Sequence, residues 1–315
     1  MRRRKEHKLF WNLAYVAVLV AIGFLIYRAS LRINYSWNWR AVPSYLIYHS
    51  QQEVDSPVNG FIKGYSNGVL IIQSTHKKII KLKVDHPKFK KPGQIVTQGE
   101  AVGYNSHYQP GPLLMGLWMT IKISVASIIA ALIIGLFTGL MRISNNPLLK
   151  NLSVTYIELI RGTPLLVQIF IVYFFVGTIF NMTRFVAGAF ALAVFEGAYV
   201  AEIIRAGIQS IPRGQTEAAL ALGMNYFQIM RYIVMPQAIK RVLPALAGQF
   251  ISLIKDSSLL SVISLTELTK AGREIASSTF SPFEVWFTVA ALYFITTYTL
   301  SLIDRYMERR LAQDE

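Results

Sequence analysis

Ile211-Pro212-Arg213-Gly214-Gln215-Thr216-Glu217-Ala218-Ala219-Leu220-Ala221-Leu222-Gly223-Met224-Asn225-Tyr226-Phe227-Gln228-Ile229-Met230-Arg231-Tyr232-Ile233-Val234-Met235-Pro236 is the stretch on which the reading of this chain turns. Good helix formers run from Gln215 to Leu222 and stop at Gly223, a residue that tolerates the left-handed conformation of a helix terminus. Asn225 can cap a second helix, which Pro236 limits. The expected product is a helix-turn-helix elbow, and Ala218 and Ala219 give its first helix a smooth side suited to a groove on another protein.

Apolar runs of spanning length flank the elbow. A helix needs roughly 20 apolar residues to cross about 30 Å of hydrocarbon. Six segments qualify: Leu9 to Tyr27, within Leu113 to Met141, within Leu152 to Phe180, Phe185 to Ile204, within Val242 to Leu265, and Phe283 to Leu302. Pro164 is expected to bend the start of the third. The first follows Arg2, Arg3, Arg4, Lys5 and Lys8, exceeds the apolar core of a signal peptide and lacks a small-x-small cleavage site, so it reads as an uncleaved anchor.

The chain has 315 residues, 53% apolar and 16% charged, with 32 Lys and Arg against 17 Asp and Glu, a net charge of +15. The cations cluster at the N-terminus, at Arg142 and Lys150, at Arg205, Arg213, Arg231, Lys240 and Arg241, and at Arg305, Arg309 and Arg310. With six crossings all four clusters fall on one side, which places both termini in the cytoplasm and makes a nucleic-acid partner unnecessary. There is no cysteine, which removes disulfides and thiolate chemistry.

The segment 29–112 carries Lys63, Lys77, Lys78, Lys81, Lys83, Lys88, Lys90 and Lys91, but loops longer than about 60 residues escape the orientation rule, so it is placed outside the membrane. Between about 50 and 106 it shows short β-rich runs, Phe61-Ile62, Val69 to Ile72 and Ile79 to Val84, separated by Asn59-Gly60, Asn67-Gly68 and Pro92-Gly93. This pattern predicts a small all-β module. Residues 56–62 and 91–100 resemble the two halves of a biotinyl/lipoyl-type barrel. Lys77 and Lys78 beside His76 lack the flanking pattern of a modified lysine. A folded spacer with a basic face and a docking surface for a soluble partner both stay open.

Glu-Ala-Ala, three residues, Gly, nine residues, Ile-x-Leu-Pro is the loop pattern of bacterial ABC-transporter import permeases. The elbow resembles it at Glu217, Ala218, Ala219, Gly223, Ile233 and Pro236, departing by Met235 in place of leucine. Residues 156–168, 197–208 and 253–259 look like the equivalent stretches of permeases for polar amino acids, the histidine, glutamine, glutamate and arginine group. The resemblance runs over about 200 residues, from the second span onward. It implies an all-α polytopic core (residues 113–315, loop 205–241 cytoplasmic) of five crossings; the chain departs from the family at its front, where an anchor (1–28) and the β insert precede that core and have a role the resemblance leaves open. It also implies partners: separate ATPase subunits that hold ATP and Mg and bind the elbow, a second permease subunit of the same or another sequence, and a soluble amino-acid receptor. No G-x-x-x-x-G-K-[ST] phosphate loop is present, so no cofactor is expected on this chain.

Ionisable groups within spans are functional candidates. Glu196, Glu202 and Arg205 fall on the fourth span and its end, and a structural ion pair between the last two fits as well as a ligand site. Lys255, Asp256 and Ser257 interrupt the fifth span, as a discontinuous helix meeting substrate or as a plain kink with an internal pair. Glu196 is the expected partner of a substrate ammonium, and Arg161 is read as an interfacial anchor. The alternative is a non-transporting membrane adaptor whose β module binds a partner protein. An enzyme fits less well: His7, His49, His76, His86 and His107 show no metal spacing and no nucleophile–base set.

Overall fold

The computed structural model describes residues 2–33, 35–75, 77–89 and 91–311, so His76 and Lys90 of the insert lie outside the described residues. The chain divides into two units, Met1–Arg40 and Ala41–Glu315. In the first, α1 (Arg2–Ser30) is a single helix. Its side chains from Trp11 to Tyr27 are mostly exposed and apolar, including Leu19, Ile22 and Phe24. A helix apolar on every side is solvated by lipid rather than by water.

The second unit begins with a short helix, α2 (Val42–Leu46), that leads into the β insert. β1 (Ile47–Asp55) and β7 (Ala101–Pro110) pair antiparallel from Ile47–Pro110 to Val54–Gly103. Nine residues at about 3.4 Å each make a ribbon of roughly 30 Å. It carries the small module, in which β2 (Gly60–Ser66), β3 (Val69–Ser74), β4 (Ile79–Lys83), β5 (His86–Pro87) and β6 (Ile95–Val96) complete two sheets, ordered β4-β3-β2-β6 and β1-β7-β5. Their facing sides bury Ile62, Leu70, Ile72, Val84, Val96 and Val102. Asn67 and Gly68 both have positive φ, 51° and 77°, which is the two-residue hairpin predicted between β2 and β3. The insert's strands run beyond the expected limits of 50 and 106, because the ribbon is polar and exposed and shows no alternation to read.

At the ribbon's foot Tyr45 of α2 is buried among Leu113, Leu268, Ala271, Ile275, Val285 and Val289. The Gly111 amide donates to the Leu46 carbonyl at 2.6 Å, clamping both ribbon ends to the helices.

The helical bundle comprises α3 (Pro112–Ile143), α4 (Pro147–Arg161), α5 (Leu165–Phe170), a π-helical stretch (Ile171–Val176), α6 (Gly177–Ile179), α7 (Arg184–Gln209), α8 (Arg213–Ala221) and α9 (Tyr226–Ile229). A second π stretch (Met230–Val234), α10 (Met235–Asp256), a 3-10 stretch (Ser257–Ile263), α11 (Leu268–Thr279) and α12 (Pro282–Leu311) follow. Five helices among the described residues are long and apolar enough to cross a membrane, six if one bent pair counts as a span.

That pair is the third expected span, and it differs from expectation: Pro147–Arg161 and Leu165–Ile179 meet at 104° rather than forming one helix with a bent start. Pro164 lacks an N–H and holds Thr163 out of the helical region. The buried Gln168 Nε2 then satisfies the freed Ile160 carbonyl at 2.7 Å and the Thr163 hydroxyl at 2.8 Å. The bundle's centre is the contact of α3 with α7. Gly135 of α3 makes it possible, because a Cβ there would lie 2.3 Å from Val200 Cγ1.

Candidate coupling elbow and transport pathway

The elbow forms as its local chemistry dictates. Beyond α8, Gly223 takes φ +77°, its amide donates to the Leu220 carbonyl at 2.9 Å, and the Met224 amide reaches the Ala219 carbonyl at 3.1 Å. This is a Schellman end, in which two otherwise orphaned carbonyls are satisfied by a left-handed residue. Asn225 and Gln228 then form a reciprocal capping box, both bonds at 2.9 Å, that starts α9.

Two expectations for the elbow are corrected. Ala218 and Ala219 do not share one smooth side: successive helical residues point about 100° apart. Ala219 is buried against Ile211, Ile229, Val234 and Ala238, while Ala218 faces out with Glu217. Nor does Pro236 limit the second helix. It lies in the first turn of α10, immediately after the π turn Met230–Val234, so the helical path runs on from Tyr226 to Ile263. The wider π turn relieves the clash of the proline ring with the preceding turn. Ile233 packs on the elbow's apolar core. The outward surface keeps Leu222 (83% exposed), Tyr226 and Phe227 (70%), large apolar groups presented to the surroundings.

Arg241 of α10 fixes the elbow to the bundle, its Nη1 donating to the Ser210 carbonyl at 2.7 Å. At the same end, Glu202 and Arg205 are brought together. Arg205 Nη2 lies 2.8 Å from Glu202, and Arg142 of α3 approaches the same carboxylate at 3.5 Å. Arg205 also donates to Gln209. The carboxylate is thus shared between two guanidinium groups and ties α7 to α3. Arg161 lies over the Tyr199 ring at 5.3 Å.

Deeper along α7, Glu196 is fully buried and accepts a hydrogen bond from Gln249 Nε2 of α10, while its Oε1 has no partner among the described residues. A buried carboxylate oxygen left unpaired is costly unless something meets it. Gln249 carries no charge and so does not stand out in the sequence among the ionisable residues of the spans. A neutral amide on a span's inner side was the available signal. Lys255, Asp256 and Ser257 fall where α10 gives way to the 3-10 stretch. Lys255 is exposed, and the buried Ser257 hydroxyl is committed to the Ile254 carbonyl at 2.7 Å. No Lys255–Asp256 ion pair forms among the described residues.

Residues 131–313 match the family described as binding-protein-dependent transport system inner membrane component. The chain is 42% identical over 204 residues to the glutamine transport system permease protein GlnP of Escherichia coli K12, covering 64% of this chain and 93% of the relative. It is 39% identical over 199 residues to the probable glutamine ABC transporter permease protein GlnM of Bacillus subtilis, covering 63% and 92%. Among solved structures, an amino acid ABC transporter with histidines matches at 44% identity and a TM-score of 0.60, covering 63% of this chain and 94% of that one. The MetNI methionine ABC transporter shares the fold at 22% identity and a TM-score of 0.58. The relatives are spanned almost end to end, while about a third of this chain lies outside the alignments. The chain belongs to the family of inner-membrane permease components of binding-protein-dependent transport systems.

Proposed function

We propose that this chain is the permease subunit of an ABC importer that moves polar amino acids, with the glutamine group as the first substrates to test, across the cytoplasmic membrane. The observation that carries the reading is the elbow. Its Schellman end and capping box hold Glu217, Ala218 and Leu222 outward on a rigid knuckle at one end of a spanning bundle, joined to the pathway by α10. The relatives' names, which are of glutamine permeases, support the substrate class.

In this reading ATP and Mg bind separate ATPase subunits docked on the elbow, a second permease subunit completes the pathway, and a soluble receptor delivers the amino acid from the side of residues 29–112. The elbow and both termini are then cytoplasmic. Glu196, buried with one free oxygen, meets the substrate ammonium. Movement of the elbow by the ATPases rocks the spans to expose that site to each side in turn. The adaptor reading is not favoured, because the transport core of the relatives is matched nearly throughout. Deletion of residues 215–222 in the assembled transporter is expected to abolish uptake while ATP hydrolysis persists. Uptake surviving that deletion would refute the coupling role.

A further inference from the structure

Between the elbow and the ends of α3, α4 and α7 lies a cavity of about 940 Å³ lined by Arg142, Lys150, Arg205 and Arg213. Among the described residues the acid paired with Arg142 and Arg205 is Glu202, which the two share. Arg142 Nη1 is buried without a hydrogen-bond partner among the described residues. Lys150 and Arg213 are exposed, and neither makes an ion pair among the described residues. The cavity therefore holds an excess of cations and offers donors suited to a multiply coordinated anion.

A second, mostly apolar cavity of about 720 Å³ opens beside it, lined by Phe137, Leu140, Met141, Phe227 and Met235 together with one cation, Arg231. The two are continuous, since Ile143, Ser144, Asn145, Tyr226 and Met230 line both. Phe137 of the α3 span is 65% exposed and Phe227 of the elbow 70%, so this groove joins the exposed apolar side of a spanning helix to the elbow.

We propose that the paired cavities form a site for an anionic phospholipid, with the headgroup phosphate among Arg142, Lys150, Arg205 and Arg213 and an acyl chain along the Phe137–Phe227 groove. A free phosphate would use the first cavity and leave the second empty. A zwitterionic lipid would use the second and gain little from the first. Only an anionic lipid satisfies both, and its place against the elbow makes lipid composition a means of stiffening or loosening the coupling helix. The site rests on the membrane-spanning fold and not on which molecule is transported.

The test uses the assembled permease–ATPase complex in detergent, titrated with short-chain phosphatidylglycerol, short-chain phosphatidylcholine or inorganic phosphate and read by native mass spectrometry. Preferential retention of phosphatidylglycerol is expected. The double variant Lys150→Gln/Arg213→Gln, which changes two exposed side chains and leaves the Glu202 pairs intact, is expected to weaken it by about 25-fold, about fivefold per cation lost. Phe227→Ala should weaken phosphatidylglycerol further without altering any response to phosphate. Equal retention of the two lipids, displacement by inorganic phosphate at the same concentration as phosphatidylglycerol, or unchanged binding in the double variant would each overturn the assignment. So would exclusion of lipid whenever the ATPase is bound. Because binding is the readout, loss of uptake through the elbow cannot be mistaken for loss of the site.

Discussion

Replacing Gly223 isolates the geometry of the elbow from its chemistry. Among the described residues, and apart from its two chain neighbours, no atom lies within 4 Å of where a Cβ would stand at this position, so the effect of a new side chain is conformational. Gly223 holds φ +77°, where an L-residue costs about 1–2 kcal/mol. β-branched side chains stand at the upper end, and asparagine, which visits this region readily, at the lower. If only the Schellman-ended elbow fits the ATPase, the apparent Kd rises by the inverse of the fraction in that form. At 1.4 kcal/mol per decade this is roughly 5- to 30-fold. The series Gly223→Asn, Gly223→Ala and Gly223→Val should therefore weaken ATPase binding in increasing order, with uptake falling in parallel and membrane abundance unchanged. The assay is titration of the ATPase subunit onto the permease in nanodiscs. Wild-type binding by Gly223→Val, or equal loss for asparagine and valine, would refute the reasoning, because then either the left-handed turn or its strain has no bearing on docking.

Other substitutions probe the bundle, the pathway and the ribbon. Gly135→Val should cost about 3 kcal/mol or more, since its Cβ alone would approach Val200 Cγ1 to 2.3 Å; membrane abundance of a tagged protein should fall sharply, and normal abundance would show that α3 and α7 are less closely locked. Glu196→Ala should depress uptake strongly at unchanged abundance, whereas Glu202→Ala, which frees two arginines, should lower thermal stability in detergent first. The opposite pattern would reverse the roles given to these two residues. Tyr45→Ala removes the buried ring at the ribbon's foot, a loss of about 3–5 kcal/mol by analogy with other buried aromatics. Limited proteolysis should then cut near Leu46 and Gly111, and resistance equal to the wild type would mean that the ribbon is anchored elsewhere.

How much of this was legible in the sequence depended on whether the cause was local. Gly223 and Asn225 announce their own backbone conformations, so the elbow's first helix, its end and the next cap were readable residue by residue. The hairpin at Asn67-Gly68 was readable for the same reason. The break at Pro164 was visible, but its 104° angle depends on Gln168 finding the Ile160 carbonyl across the gap, a tertiary event. The outer parts of β1 and β7 hid because a two-stranded ribbon exposed on both faces needs no apolar alternation, and only their inner ends, at Val54 and Val102, reach the module's core. Ala218 and Ala219, adjacent in the motif, separated because a helix turns them to different sides. The Glu196–Gln249 contact joins residues 53 apart in sequence, and nothing in either residue's neighbourhood specifies the other.

Pro236 gave the most instructive difference, and it supports one further expectation. The π turn Met230–Val234 holds one residue more than an α turn would, which lets the helical path pass Pro236 unbroken and joins the elbow directly to α10. Gln249 lies 249 − 236 = 13 residues beyond the proline, about 20 Å at 1.5 Å per residue. A tilt of α10 by only about 5° at the elbow therefore moves the Gln249 amide by nearly 2 Å, enough to take it outside the 2.7–3.2 Å range of a hydrogen bond to Glu196. The same extra residue sets which way the elbow faces. Deleting the exposed Tyr232 would remove that extra residue, bring back the clash of the Pro236 ring with the preceding turn and rotate everything before it by about 100° relative to α10, carrying Glu217 and Ala218 off their present side. Uptake should be lost while insertion and the Glu196–Gln249 contact survive, and ATPase binding should fall with it. Retained uptake in the Tyr232 deletion would show that the elbow finds its partner whatever its rotation, and that α10 is not the lever connecting it to the buried carboxylate.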